Sequence, residues 1–180
     1  MIGAAQMKKI GVAGILALVV VIGTGGCGYT RKTVLPRNIK TIFVETVKNK
    51  IPVEEVYAYQ QGIEMDITNA VIQRLHQDGN LKVVEKEKAD AVLKTDLLAY
   101  EQEGLRFTQL ESVQEYRLFI VVHLKLVDNK TGDVIWEEPN FTGDNEYYVT
   151  DVTSLGEQKA SLDAAAKLAD NIVNRIVEDW

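Results

Sequence analysis

Little in this sequence could form a covalent staple or hold a metal. It has one cysteine, Cys27, two histidines and three prolines. A lone cysteine excludes an intramolecular disulfide, so the fold must rest on its core, which a chain of this length can supply. His76 and His123 have no further histidine or cysteine at ligand spacing, and no metal site is expected. Basic residues are outnumbered, 20 against 26, leaving a formal charge of −6. A net acidic chain lacks the basic face that displaces counterions, so no nucleic-acid partner is expected. Also missing are a glycine-rich phosphate loop after a strand and a Gly-x-Ser-x-Gly elbow. Residues 128–133 differ from a calcium loop in carrying Lys130 at the third position and in their early glycine. The carboxylate pairs Glu54-Glu55 and Glu137-Glu138 are sequence neighbours, and neighbours on a strand point to opposite faces. The chain therefore reads as a protein that is not an enzyme and needs no cofactor.

Long apolar runs are nearly absent too. Residues 10–22 form the longest, and about 13 residues cannot span a bilayer that needs about 20. Lys8 and Lys9 precede this run, and Thr24-Gly25-Gly26 follow it. A positive start, a short greasy stretch and small residues make residues 1–26 a secretory signal peptide, with Met1 or Met7 as its start. Cys27 sits directly after the small residues, the position at which bacterial lipoproteins are cleaved and lipidated. Thr24 stands where leucine is usual in such signals. The expected modification is a diacylglyceryl group on the sulfur and a further chain, such as palmitate, on the amine. More than one chain matters, because a single chain holds a membrane only reversibly.

Without residues 1–26 the charge moves from −6 to −8, as Lys8 and Lys9 are lost. Residues 27–38 form a tether, and residues 39–180 suit one domain of ordinary size. The tether and its exit carry Arg31, Lys32, Arg37 and Lys40 before the first acid, Glu45. Two readings stand side by side: attraction to anionic lipid phosphates, at about 1 kcal/mol per base, or a solvated linker.

Residues 39–47 are β-branched and predict a first strand. Pro52, Glu54 and Glu55 suit the first turn of a helix. Val56, Tyr59, Ile63, Ile67, Ala70, Val71 and Leu75 then recur at helical steps, with Arg74 among them, until Asp78-Gly79 stops the helix. Short strands follow at residues 81–84 and 90–100, the latter with Ala91, Leu93, Leu97 and Ala99 on one face. Residues 85–88 make a charged turn between them, and residues 101–113 a polar loop. Residues 114–127 alternate most clearly, every even position from Tyr116 to Leu126 being apolar. A glycine-containing hairpin turn at 128–133 leads to a strand at 134–141, presenting Val134 and Trp136 together. Residues 142–153 are expected to be loop. Ser154 and Glu157 form a capping box for a helix running to about Asp179, striped by Leu162, Ala165, Leu168, Ala169, Ile172, Val173 and Ile176. The order is β-α-β-β-β-β-α. The expected fold is α+β, with two amphipathic helices on one face of a mostly antiparallel sheet of four to five strands.

Four stretches carry a family resemblance. Cys27-Gly28-Tyr29 is followed by the run from Leu35-Pro36-Arg37-Asn38 to Ile42. Ile67-Thr68-Asn69-Ala70-Val71-Ile72 leads to Asp78-Gly79-Asn80-Leu81. Ala89-Asp90-Ala91-Val92-Leu93 reaches Tyr100. Glu115-Tyr116-Arg117 reaches Thr131-Gly132-Asp133-Val134-Ile135-Trp136. In this order, and behind a lipobox, they resemble the LPS-assembly lipoprotein family LptE. The resemblance implies an outer-membrane lipoprotein, anchored on the periplasmic side in Gram-negative outer-membrane biogenesis. It would plug the LPS-translocon barrel, LptD, and help that barrel assemble. It also implies that lipopolysaccharide is met by basic residues at one end of the domain. The matching loop is 101–113, where Arg106 is the only base and lies beside Leu105 and Phe107. That pairs a phosphate contact with an acyl contact. Residues 142–153 hold no lysine or arginine, a departure from the family pattern.

The runner-up is a regulatory lipoprotein that activates a peptidoglycan synthase, as LpoB-like proteins do. Such a protein needs a long tether, whereas the stretch before the first strand reaches at most about 40 Å.

Overall fold

Ile42 and Val44 turn inward while Thr41 and Phe43 stay partly exposed, the two-residue period that makes a strand of Thr41–Val44. The computed structural model describes residues 39–52, 60–149 and 155–178. In chain order these form β1 (Thr41–Val44), β2 (Lys48–Asn49), α1 (Ile63–Asp78), β3 (Lys82–Val83), a 3-10 turn at Lys86–Lys88, β4 (Ala91–Phe107), β5 (Val113–Asp128), β6 (Val134–Tyr148) and α2 (Leu155–Glu178). The strands lie in the order β3-β1-β4-β5-β6, and β2 also pairs with β4. The fold is α+β, as expected.

The sheet is mixed. The long strands β4, β5 and β6 pair antiparallel, but β1 runs parallel to both β3 and β4, and β2 parallel to β4. The reason is α1: a helix between β1 and β3 returns the chain to the end at which it started, which makes neighbours parallel. Asp90 fastens this side. Its Oδ2 accepts from the Lys40 amide at 3.1 Å, the Thr41 amide at 3.2 Å and the Thr41 hydroxyl at 2.9 Å. Those bonds, led by the Lys40 amide, hold the Asp90 carboxyl below its ordinary range.

Helix α1 spans Ile63–Asp78 behind a left-handed Gly62 (φ 94°), and Glu54 and Glu55 of the expected first turn lie outside the described residues. Val56 and Tyr59 of the expected stripe lie outside the described residues. Ile63, Ile67, Val71 and Leu75 are buried as expected, and Gly79 (φ 75°) closes the helix by donating to the Leu75 carbonyl at 3.1 Å. Thr68, also buried, accepts from the Val47 amide at 3.1 Å and donates to the Glu64 carbonyl at 2.6 Å, tying the helix to the sheet.

Helix α2 buries Ala164, Ala165, Leu168, Ala169, Ile172, Val173 and Ile176, but Leu162 is exposed. It falls in line with Ala169 seven residues on, but at its own end of the helix the buried face is Ala160, Ser161 and Ala164, from which it points away. Ala164, Ala165 and Ala169 keep part of that face low where α2 lies almost on the backbone of β6. A Cβ on Gly143 would fall 2.5 Å from the Leu168 Cβ and 2.9 Å from the Ala164 carbonyl oxygen. Arg74 of α1 reaches Asp170 of α2 at 2.6 Å, so the one polar member of the first stripe joins the two helices.

Two bulges shift the expected faces. One between Leu97 and Ala99 gives the inward position to Tyr100 and leaves Ala99 half-buried. Another pairs Leu126 with Trp136 but Val127 with Val134, so Trp136 is buried and Val134 exposed. Ser154 lies outside the described residues. Glu157, its expected capping partner, accepts from the Gln102 amide nitrogen at 2.6 Å.

Candidate functional site

The region expected as a polar loop is mostly strand. β4 and β5 stay paired from Ala91–Asp128 to Phe107–Val113, so only residues 108–112 turn. Polar side chains at 101–104 hid this, because the pairing is carried by backbone bonds and not by an apolar pattern. The Thr108 hydroxyl accepts from the amides of Leu110 (3.2 Å) and Ser112 (3.1 Å), and Glu111 takes the left-handed conformation (φ 60°) that closes the turn. Likewise β6 runs on to Tyr148, through half of the stretch expected as loop.

Arg106 and Phe107 therefore stand on the last strand residues of a stiff hairpin. Phe107 lies close over Gly104: a Cβ there would be 3.0 Å from the ring and 3.3 Å from Val113. It is nonetheless 56% exposed, and Leu110 at the apex is 89% exposed. Leu105, Tyr148 and Val149 are exposed nearby in sequence and register, so five large apolar side chains collect at one end of the domain. An apolar cluster that the core does not claim marks a contact surface.

Arg106 is not a free cation. It pairs in register with Glu115 of β5, which pairs with Tyr148 of β6. The Arg106 Nη2 is 3.5 Å from the Glu115 Oε2, and its guanidinium carbon is 5.9 Å from the centre of the Tyr148 ring. The arginine thus reaches across the carboxylate to the third strand. Its own side chain is 61% exposed and that of Glu115 only 9%. Sequence reasoning missed Glu115 and Tyr148. Glu115 is a charged residue on the alternation's polar side, and only the cross-strand register reveals that it is covered.

Beneath the tip, Tyr116 and Tyr147 stack with ring centres 5.6 Å apart. Burial, with the Glu157 charge assisting, pushes the Tyr147 hydroxyl up to about 12, and burial does the same to Tyr100. On the sheet face away from the helices several charges are paired. Arg117 meets Glu146, Lys125 meets Glu137 at 3.0 Å, and His123 meets Glu137 at 2.7 Å. Hydrogen bonds from Lys125 and then His123 hold the Glu137 carboxyl below its ordinary range. His76 is exposed at the end of α1. Among the described residues no cluster of three or more His, Cys, Asp or Glu could hold a metal, and no helix is long and apolar enough to cross a membrane. Cys27 lies outside the described residues.

A known structure shares this architecture. A DUF330-family protein from Xanthomonas campestris superposes with a TM-score of 0.57 at 12% identity, over 77% of this chain and 84% of that one. That likeness is one of fold. A minor lipoprotein from Acinetobacter baumannii gives 0.48 at 14% identity, over 77% of this chain and 91% of its own. PelC from Paraburkholderia phytofirmans gives 0.48 at 14%, over 79% and 92%. No curated protein matches the chain in sequence. A family profile does: LptE, lipopolysaccharide-assembly, over residues 39–176.

Proposed function

The chain belongs to the LptE lipopolysaccharide-assembly family, and we propose that it is the lipoprotein partner of the LPS-translocon barrel, LptD, plugging it from the periplasmic side of the outer membrane. The observation that carries this reading is the span of the match, from Ile39 ahead of β1 to Ile176 in the last turns of α2. In this reading residues 1–26 are removed and Cys27 carries the acyl chains that anchor the domain. The domain performs no covalent chemistry and acts as a rigid wedge. Its hairpin tip meets lipopolysaccharide, with Phe107 and Leu110 against acyl chains and the outward N–H groups of Arg106 against a phosphate. The family match does not favour the alternative, activation of a peptidoglycan synthase.

Photo-crosslinking in native membranes tests the proposal. A crosslinker placed at Phe107 or on the exposed edge of β6 should trap a large outer-membrane barrel. Adducts with peptidoglycan synthases alone would reject the proposal. Mass spectrometry of the membrane-extracted protein should find Cys27 acylated at the new amino terminus.

A further inference from the structure

We propose that Glu115 sets how strongly Arg106 engages a phosphate of lipopolysaccharide, acting as the positioning and specificity-setting residue of the tip; this rests on the reading that Arg106 makes such a contact. Glu115 is the one carboxylate among the buried described residues. A shielded carboxylate is costly unless a cation stays with it, so the pair keeps the guanidinium over β5. Tyr148 holds it from the other side. Arginine has five N–H donors in a planar fork. Glu115 engages one edge and the Tyr148 ring borders a face, which leaves the outward edge for a ligand. The same carboxylate repels an arriving phosphate. From Gly104 to Tyr116 the only other charges are Arg106 itself and Glu111, and the next base, Arg117, is held by Glu146 and Asp144, so little offsets that repulsion. Glu115 thus aims Arg106 and weakens its hold on anions.

The test measures binding of the full chain, purified from membranes, to three probes: lipid A with both phosphates, lipid A stripped of them, and phosphatidylglycerol vesicles. Glu115→Gln keeps the size and removes the charge. It should tighten binding to phosphorylated lipid A roughly two- to fivefold, the size of one charge acting through an arginine that is itself mostly exposed. The gain should shrink with added salt and be absent for stripped lipid A. Glu115→Asp, which keeps the charge but draws it back, should give a smaller gain. In the double variant Arg106→Gln/Glu115→Gln the gain should vanish, because it acts through the arginine.

A gain that survives in the double variant overturns the proposal, as does unchanged or weaker binding by Glu115→Gln at an unchanged melting temperature. An equal gain on phosphatidylglycerol overturns the assignment to lipopolysaccharide. If Arg106→Gln alone leaves binding to phosphorylated lipid A untouched, the underlying reading of the tip fails as well. If Arg106→Gln weakens binding but Glu115→Gln changes nothing, only the role of Glu115 fails.

Discussion

Leu118, Ile120 and Leu124 of β5 are fully shielded beneath the helices, while Phe107 and Leu110, a short way back along the same hairpin, project from its tip. Both sets are large apolar residues on one continuous hairpin, so intrinsic hydrophobicity does not separate them. Cover does. Over the middle of the sheet α1 and α2 supply an opposing apolar surface, whereas past Gly104 no helix among the described residues does so. The first set holds the fold together; the second is available to something else. Substitutions should divide along the same line.

The largest loss is expected from Ile120→Ala, which empties the covered half and should cost roughly 2–5 kcal/mol. The melting temperature should fall by about 10 °C, read by circular dichroism. A drop as small as that of a tip variant would erase the distinction. Gly143→Ala comes next. Its new methyl would meet backbone atoms of α2 at 2.9 Å, so the helix must lift, at about 1–3 kcal/mol. An unchanged melting curve would show that α2 does not sit this close to β6.

Asp90→Ala should follow, costing about 2 kcal/mol for the lost charge-assisted bonds to Lys40 and Thr41. Here pH sharpens the comparison. The folded Asp90 carboxyl titrates below its unfolded value of about 3.9. Its contribution is therefore complete above that pH and disappears as pH falls through the folded value. Denaturant titrations should show wild type and variant converging on acidification below about pH 4; a constant gap would contradict the sign. The smallest effect on folding belongs to the tip. Leu110→Ser should change stability by no more than about 0.5 kcal/mol, while weakening crosslinking to the barrel or binding of lipid A. Normal performance in both assays would make the tip a mere solvated turn.

The two halves were also unequally legible in the sequence. The alternation from Tyr116 to Leu126, the stops at Gly79 and Gly132, and the stripe from Ile63 to Leu75 all appear in the structure, because each follows from a local rule of spacing or backbone freedom. The parallel pairing of β1 did not show, since it depends on where α1 returns the chain. The reach of β4 to Phe107 and of β6 to Tyr148 was hidden, because paired backbones need no apolar pattern. Leu162 misled because an apolar residue in line with a stripe looks like a member of it. Of the candidate site, Arg106 and Phe107 could be named from the family resemblance. Glu115 and Tyr148 needed the register of three strands, which no single segment encodes.

The mixed sheet also bears on the order in which the chain can assemble. β1 sits between β3 and β4, and its clamp joins residues 49 apart in sequence. The first strand to be synthesised is thus among the last able to find its neighbours. The β4-β5-β6 meander can zip through two short turns on its own, and loops that close over few residues close first. Pulse-labelled hydrogen exchange during refolding should protect β5 amides before those of β1. Until that gap closes, Ile42 and Val44 stand uncovered, and a chaperone would find its handhold there.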